Sequence, residues 1–202
     1  MKKLLTLAFS AVALFSMTAC AGEKAFVRED GKTYHAVGGW GVWEATKKNA
    51  MAQITIEQVK KLDADLGAKL EAKNPKYLVK KDIVLTDTAG WTAKALVGNE
   101  VKEFDGGHTV KVILAHWNQD DQTYANDQWI PNPADTSPAH AEALTDNVFM
   151  PTYQKEADAN GFSWADNPVI TSKAGKYTFI LADYGVVSSQ EVIGYGFAAI
   201  AK

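Results

Sequence analysis

The sequence predicts a mainly β, α+β fold: an antiparallel β-sandwich or barrel with one amphipathic helix packed against it. Three observations carry that expectation. Short apolar runs recur through the second half of the chain, each bounded by Gly, Asn or Asp. One segment alone shows a helical rather than a two-residue period. A single cysteine among 202 residues leaves no intramolecular disulfide, no CxxC redox pair and no thiolate zinc cluster, so packing must hold the fold together.

The N-terminal stretch "MKKLLTLAFSAVALFSMTACAGEK" opens with Lys2 and Lys3, runs apolar from Leu4 to Phe15 and ends in small residues. That layout suits an export signal, being too short and wrongly flanked for a permanent membrane span. Ala19-Cys20-Ala21 fits a small-x-small cleavage site. Met17-Thr18-Ala19-Cys20 resembles the lipobox of bacterial lipoproteins, with Met17 where leucine or another aliphatic is usual. The resemblance implies that Cys20 becomes the acylated first residue of the mature chain. Residues 1–20 are then a signal peptide ending at the lipobox cysteine, and 21–202 a single extracytoplasmic domain tethered by lipid to the cell envelope or surface. The other cleavage site implies a periplasmic or secreted protein. About 180 mature residues suffice for a core, since a domain of that size buries roughly 70% of its extended-chain surface.

The next segment, Gly38-Gly39-Trp40-Gly41-Val42-Trp43, places two indoles three residues apart among glycines. In an extended chain such residues point to opposite faces, so one ring is expected inside and one outside. Trp40, flanked by Gly39 and Gly41, suits the buried position, and Trp43, followed by Glu44, the exposed one. Thr55-Ile56-Glu57-Gln58 then matches a capping box, with Val59, Leu62, Leu66 and Leu70 forming one stripe behind it. Pro75 should stop that helix, and Gly67 weakens its middle by up to ~1 kcal/mol relative to Ala.

Beyond Pro75 the character turns to β. "KDIVLTD" and "WTAKALV" read as strands, Val97-Gly98-Asn99-Glu100 as a two-residue hairpin turn, and "EVKEF" as the returning strand. Asp105-Gly106-Gly107 marks the next turn. "HTVKVILAHW" reads as a long strand, dense enough in apolar residues to be central. "GKYTFILADY" and "EVIGYGFAAIA" form a further pair joined through "GVVSSQ". The polar connection from Asn118 to Asn167 is long for a compact domain, as functional loops are, and Leu144 to Met150 suits a short helix within it.

Six tryptophans fall mostly at strand ends or in loops. Flat apolar rings beside amides and carboxylates are what sugar recognition requires, because the ring stacks on the C–H face of a pyranose while polar groups take its hydroxyls. "HWNQDDQTYANDQW" supplies such groups in Trp117, Asn118, Gln119, Asp120, Asp121, Asn126, Asp127, Gln128 and Trp129; Trp117, Asn118, Asp120, Asp121, Asp127 and Trp129, with Trp43 and Trp164, form the candidate ligand-binding set. The expected ligand is a glycan. Asp120, Asp121, Asn126 and Asp127 also admit calcium, although their spacing is not that of an EF-hand loop, and no other cofactor is expected.

"SWADNPVITSKAGKYTFILADY" resembles the rhythm of extracellular immunoglobulin-like modules that bind starch and other glycans. Gly38-Gly39-Trp40 with Ala182-Asp183-Tyr184 resembles the lipocalin pattern, which implies instead a barrel carrying a small apolar molecule. An adhesin or structural envelope protein binding a protein partner is the remaining alternative.

Several classes find no support. The formal charge of −3, with 24 acidic against 21 basic residues and no basic stripe, argues against nucleic acid. No GxSxG elbow, HExxH helix or phosphate loop is present, so no enzymatic activity is expected, with a hydrolase as the alternative. The four histidines, His35, His108, His116 and His140, read as surface or edge residues. His108 and His116, in one strand, would stand roughly 26 Å apart and share no metal.

Overall fold

The computed structural model describes residues 24–98, 100–131, 141–149, 168–185 and 194–202. Cys20, His140 and Trp164 lie outside them. Along the chain come β1 (Thr33–Val37), β2 (Ala52–Gln53), α1 (Ile56–Leu62), α2 (Ala64–Lys73), β3 (Tyr77–Leu85), β4 (Thr92–Val97) and β5 (Glu100–Asp105). A 3-10 turn at Gly106–His108 leads into β6 (Lys111–Asn118) and β7 (Thr123–Ile130). The short β8 (Ala141–Ala143), β9 (Val148–Phe149) and β10 (Val169–Ile170) precede the long pair β11 (Gly175–Asp183) and β12 (Tyr195–Ala201).

These strands build a mainly β, α+β architecture, as the sequence predicts. One sheet has the order β2-β3-β11-β12-β8, antiparallel except for the β12–β8 pair. A second, β1-β6-β7, is antiparallel throughout, with β6 in the expected central position. The two-residue side-chain period sorts β11 between two cores. Tyr177, Phe179 and Leu181 enter the space between the sheets, where Tyr34, Ala36, Val112 and Leu114 meet them. Ile180 and Ala182 point the other way, under the helices. Burying a ring such as Phe179 contributes about 1.5–3 kcal/mol.

The helical segment starts where the capping box places it. Gln58 N donates to Thr55 Oγ1 at 3.2 Å, and Thr55 N donates to Gln58 Oε1 at 2.9 Å. It is two helices rather than one. Asp63 adopts an extended conformation, ends α1 with its N–H on Val59 O at 2.8 Å, and begins α2 by accepting Leu66 N at 2.9 Å. The break rotates Leu62 out of the stripe, leaving it 47% exposed while Val59, Leu66 and Leu70 are buried. Gly67 sits at the contact between the helices. A Cβ there would lie 2.8 Å from the Lys60 backbone, so the helix-weakening glycine is what permits close packing.

The β4–β5 hairpin turns through two residues, with Gly98 at φ +65°, as the sequence indicates. Two expectations fail. The Leu144–Met150 segment is not helical over its described residues: Leu144 N donates to Phe197 O at 2.7 Å, which draws the chain alongside β12 and on into β9. The expected strand "HTVKVILAHW" begins only at Lys111, because Asp105 accepts Gly107 N at 2.8 Å and holds Gly106–His108 in a turn. Part of the long polar connection is itself a strand, β7.

Candidate functional site

In the three-stranded sheet, β1 and the first five residues of β6 are buried on both faces, and the outer face carries the candidate site. Val37 of β1 and Ile113 and Ala115 of β6 form an apolar patch there, flanked by Tyr124 and Trp129 of β7. Residues 38–49 lie over this patch, with Trp43 and Ala45 packed on it.

That role explains the glycine-rich stretch. Gly38 has φ +153°, and a Cβ on it would stand 2.2 Å from Thr109 O. Gly39 N donates to Thr109 Oγ1 at 3.2 Å, Gly41 N to Gly38 O at 3.1 Å, and Gly38 N to Val42 O at 3.1 Å. The segment is therefore a tight loop and not a strand, which corrects the expected split between a buried and an exposed indole. Both rings are half-buried. Trp40 packs against the core between the sheets and Trp43 against the outer patch. Trp40 Nε1 is buried without a hydrogen-bond partner.

Asn49 organises the rest of the loop. Its Oδ1 accepts Thr46 N at 2.8 Å and Thr46 Oγ1 at 3.1 Å, and its Nδ2 donates to Glu44 O at 2.8 Å. Beneath it lies His35, fully buried. Two acceptors face His35 Nδ1, Thr46 O at 2.9 Å and Asn49 Oδ1 at 3.2 Å, which assigns the proton to Nδ1. Nε2 then accepts from the Thr33 hydroxyl at 2.6 Å. Burial lowers the His35 pKa to about 4, outweighing the hydrogen bonds to Asn49 and Thr46 that raise it. The ring is neutral at pH 7, held for structure.

Between this loop and the β6–β7 hairpin runs an open cleft of about 820 Å³, within the range of ligand sites. Trp40, Lys47 and Asn49 contribute to one wall, and Trp117, Tyr124 and Asn126 to the other. Trp117 and Tyr124 meet edge to face, centroids 5.0 Å apart, and Tyr124 rests its ring on His35 at 4.3 Å. Lys47 Nζ stands 4.7 Å over the Trp117 ring. Gln122 and Thr123 add polar groups at the hairpin end.

The residues expected to form the site are thus distributed. Trp117 lines the cleft. Asn118, Asp120 and Asp121 occupy the turn of the hairpin and bind one another: Asn118 Nδ2 donates to Asp121 Oδ2 at 2.7 Å, and Asp120 N to Asn118 Oδ1 at 3.0 Å. Asp127 is the extra residue where the β6–β7 register shifts, and it pairs with His116 at 2.9 Å and Lys32 at 3.6 Å. Trp129 and Trp43 sit against the outer apolar patch, Trp129 with Lys111 Nζ 5.6 Å from its centroid. Tyr124, Lys47 and Asn49 were not singled out by the sequence. Tyr124 and Asn126 share a strand face by two-residue spacing, a signal hidden because "NQDDQTYANDQW" has the composition of a loop.

His108, like His35, is buried, against the expectation of a surface residue. Its Nε2 faces Asp87 at 2.8 Å and its Nδ1 faces Ile170 O at 2.9 Å, so both nitrogens are engaged. Among the described residues no three His, Cys, Asp or Glu side chains gather as metal ligands. None of the described helices is long and apolar enough to cross a membrane. Comparison of the chain with family models, curated proteins and solved structures finds no match.

Proposed function

We propose that this is an exported envelope protein, lipid-anchored at Cys20, that binds a saccharide in the cleft between residues 40–49 and the β6–β7 hairpin. The observation that carries the reading is the Trp117 ring on the wall of an open cleft, with the carboxamides of Gln122 and Asn126 beside it. An indole offers a flat apolar face to the C–H side of a pyranose, and carboxamides offer paired donors and acceptors to its hydroxyls. The alternative of a carried apolar molecule needs room between the sheets. Phe179 and Phe197, with centroids 5.8 Å apart, fill that space, which favours the outer cleft.

A glycan array probed with the mature protein and with its Trp117→Ala variant tests the reading. Binding by the first and its loss in the second are expected; an array without binding contradicts it. For the anchor, Cys20→Ser should yield a product that no longer partitions into detergent, since the multiple acyl chains of a lipoprotein are what secure a stable attachment. Unchanged partitioning would remove Cys20 as the attachment point.

A further inference from the structure

The saccharide reading leaves the class of sugar open, and the wall facing Trp117 narrows it. We infer that the ligand is an acidic saccharide, whose carboxylate or sulfate is received by Lys47; the inference rests on the reading above and specifies its ligand. The chain as a whole is acidic, with a formal charge of −3. The cleft walls reverse that balance: Lys47 and Lys48 face a single carboxylate, Glu44.

Lys47 Nζ stands 4.7 Å from the Trp117 centroid, within cation–π range, and pairs with no carboxylate among the described residues. A pyranose stacking on that face must displace the ammonium. A neutral sugar offers the displaced ammonium only hydroxyl oxygens, which are weaker acceptors than an anion. An acidic sugar supplies an anion, with which the displaced ammonium forms a charge-assisted hydrogen bond. The flexible four-carbon stem of lysine lets the charge move aside without moving the loop, whose backbone Asn49 holds through Thr46 and Glu44. One side chain thus opposes neutral ligands and favours anionic ones, which is how a difference of affinities becomes specificity.

The test is a panel of uronate-bearing and sulfated oligosaccharides, each beside its carboxyl-reduced or desulfated neutral counterpart. They are titrated against the detergent-solubilised mature protein and its Lys47→Gln and Trp117→Ala variants. The acidic member of a binding pair should bind at least tenfold more tightly than the neutral one, with the ratio shrinking as salt is raised. Lys47→Gln should abolish the ratio by weakening the acidic member at least tenfold. A preference limited to sulfated or to uronate members assigns the anion and supports the inference. Neutral members binding as tightly as acidic ones, or a ratio that survives Lys47→Gln, would overturn it and leave the saccharide reading standing. No binding anywhere in the panel, with binding retained on the glycan array, would overturn the inference alone; no binding on either would overturn both.

Discussion

The outer face of the five-stranded sheet is covered by α1 and α2, and the outer face of the three-stranded sheet by residues 38–49. Both covers bury an apolar patch: Leu66, Leu70 and Ile180 in one case, Val37, Ile113 and Ala115 in the other. They differ in how their own backbones are satisfied. Helices bond internally, so the seal needs only caps, supplied here by Thr55 and Asp63. An irregular loop cannot do so, and its polar groups must find partners beneath it. Asn49, His35 and Thr109 serve that purpose, which puts polar side chains inside the fold and leaves a cleft at the loop's edge. The helical cover closes over its patch, whereas the loop cover leaves an open cleft at its edge, where the proposed ligand would bind.

The largest effect separating the two should come from the helical side. Leu66→Ala is expected to lower the unfolding free energy by about 2–5 kcal/mol, because the site is buried against the sheet. Leu62→Ala, on the same apparent stripe but half-exposed, should change it by less than about 1 kcal/mol; urea denaturation measures both. Equal losses would mean that the break at Asp63 does not divide the stripe.

On the loop side the effect depends on pH. The folded pKa of His35 lies near 4, below its ordinary 6.5, so between those values the unfolded chain takes up a proton that the native state does not. Stability should therefore be full above pH 6.5 and fall by about 3 kcal/mol as pH drops toward 4. Denaturation of a His35→Gln variant should lack this component of the slope. An identical slope in the variant would place the acid sensitivity elsewhere. Asn49→Ala should cost about 1–3 kcal/mol, by leaving Thr46 N and Glu44 O without their partner, and should also weaken saccharide binding. Loss of stability with intact binding would separate the loop from the site.

How far the sequence revealed each cover follows the same division. The helical cover was legible from its capping box and stripe, since both are local patterns. Even its break had a signal, Asp63 three residues before Leu66, which the continuous stripe obscured. The long strands β3, β6, β11 and β12 were legible because apolar runs between turn residues have few other uses. The loop side was not. β1, "TYHAV", is buried on both faces yet carries Tyr34 and His35, whose suitability depends on partners distant in sequence: Tyr34 OH donates to Asp183 Oδ2 at 2.5 Å, and His35 meets the 46–49 loop. β7 is a half-exposed edge strand broken by the extra residue Asp127, so it shows neither alternation nor apolar density. Of the expected site residues Trp117 and Asn126 reach the cleft, whereas the hairpin turn withdraws Asn118, Asp120 and Asp121 into bonds among themselves.

The central claim is that the loop-covered face serves recognition while the helix-covered face serves stability, and Trp117→Ala tests it most directly. Unfolding free energy and saccharide affinity are to be measured on one preparation, beside Leu66→Ala. Stability is expected to fall by less than about 2 kcal/mol, the ring being half-buried at a rim, while binding weakens by about 1–3 kcal/mol, as for other stacked rings. Leu66→Ala should show the reverse pattern. A stability loss of about 3–5 kcal/mol in Trp117→Ala with binding unchanged would make the indole a core plug and contradict the division.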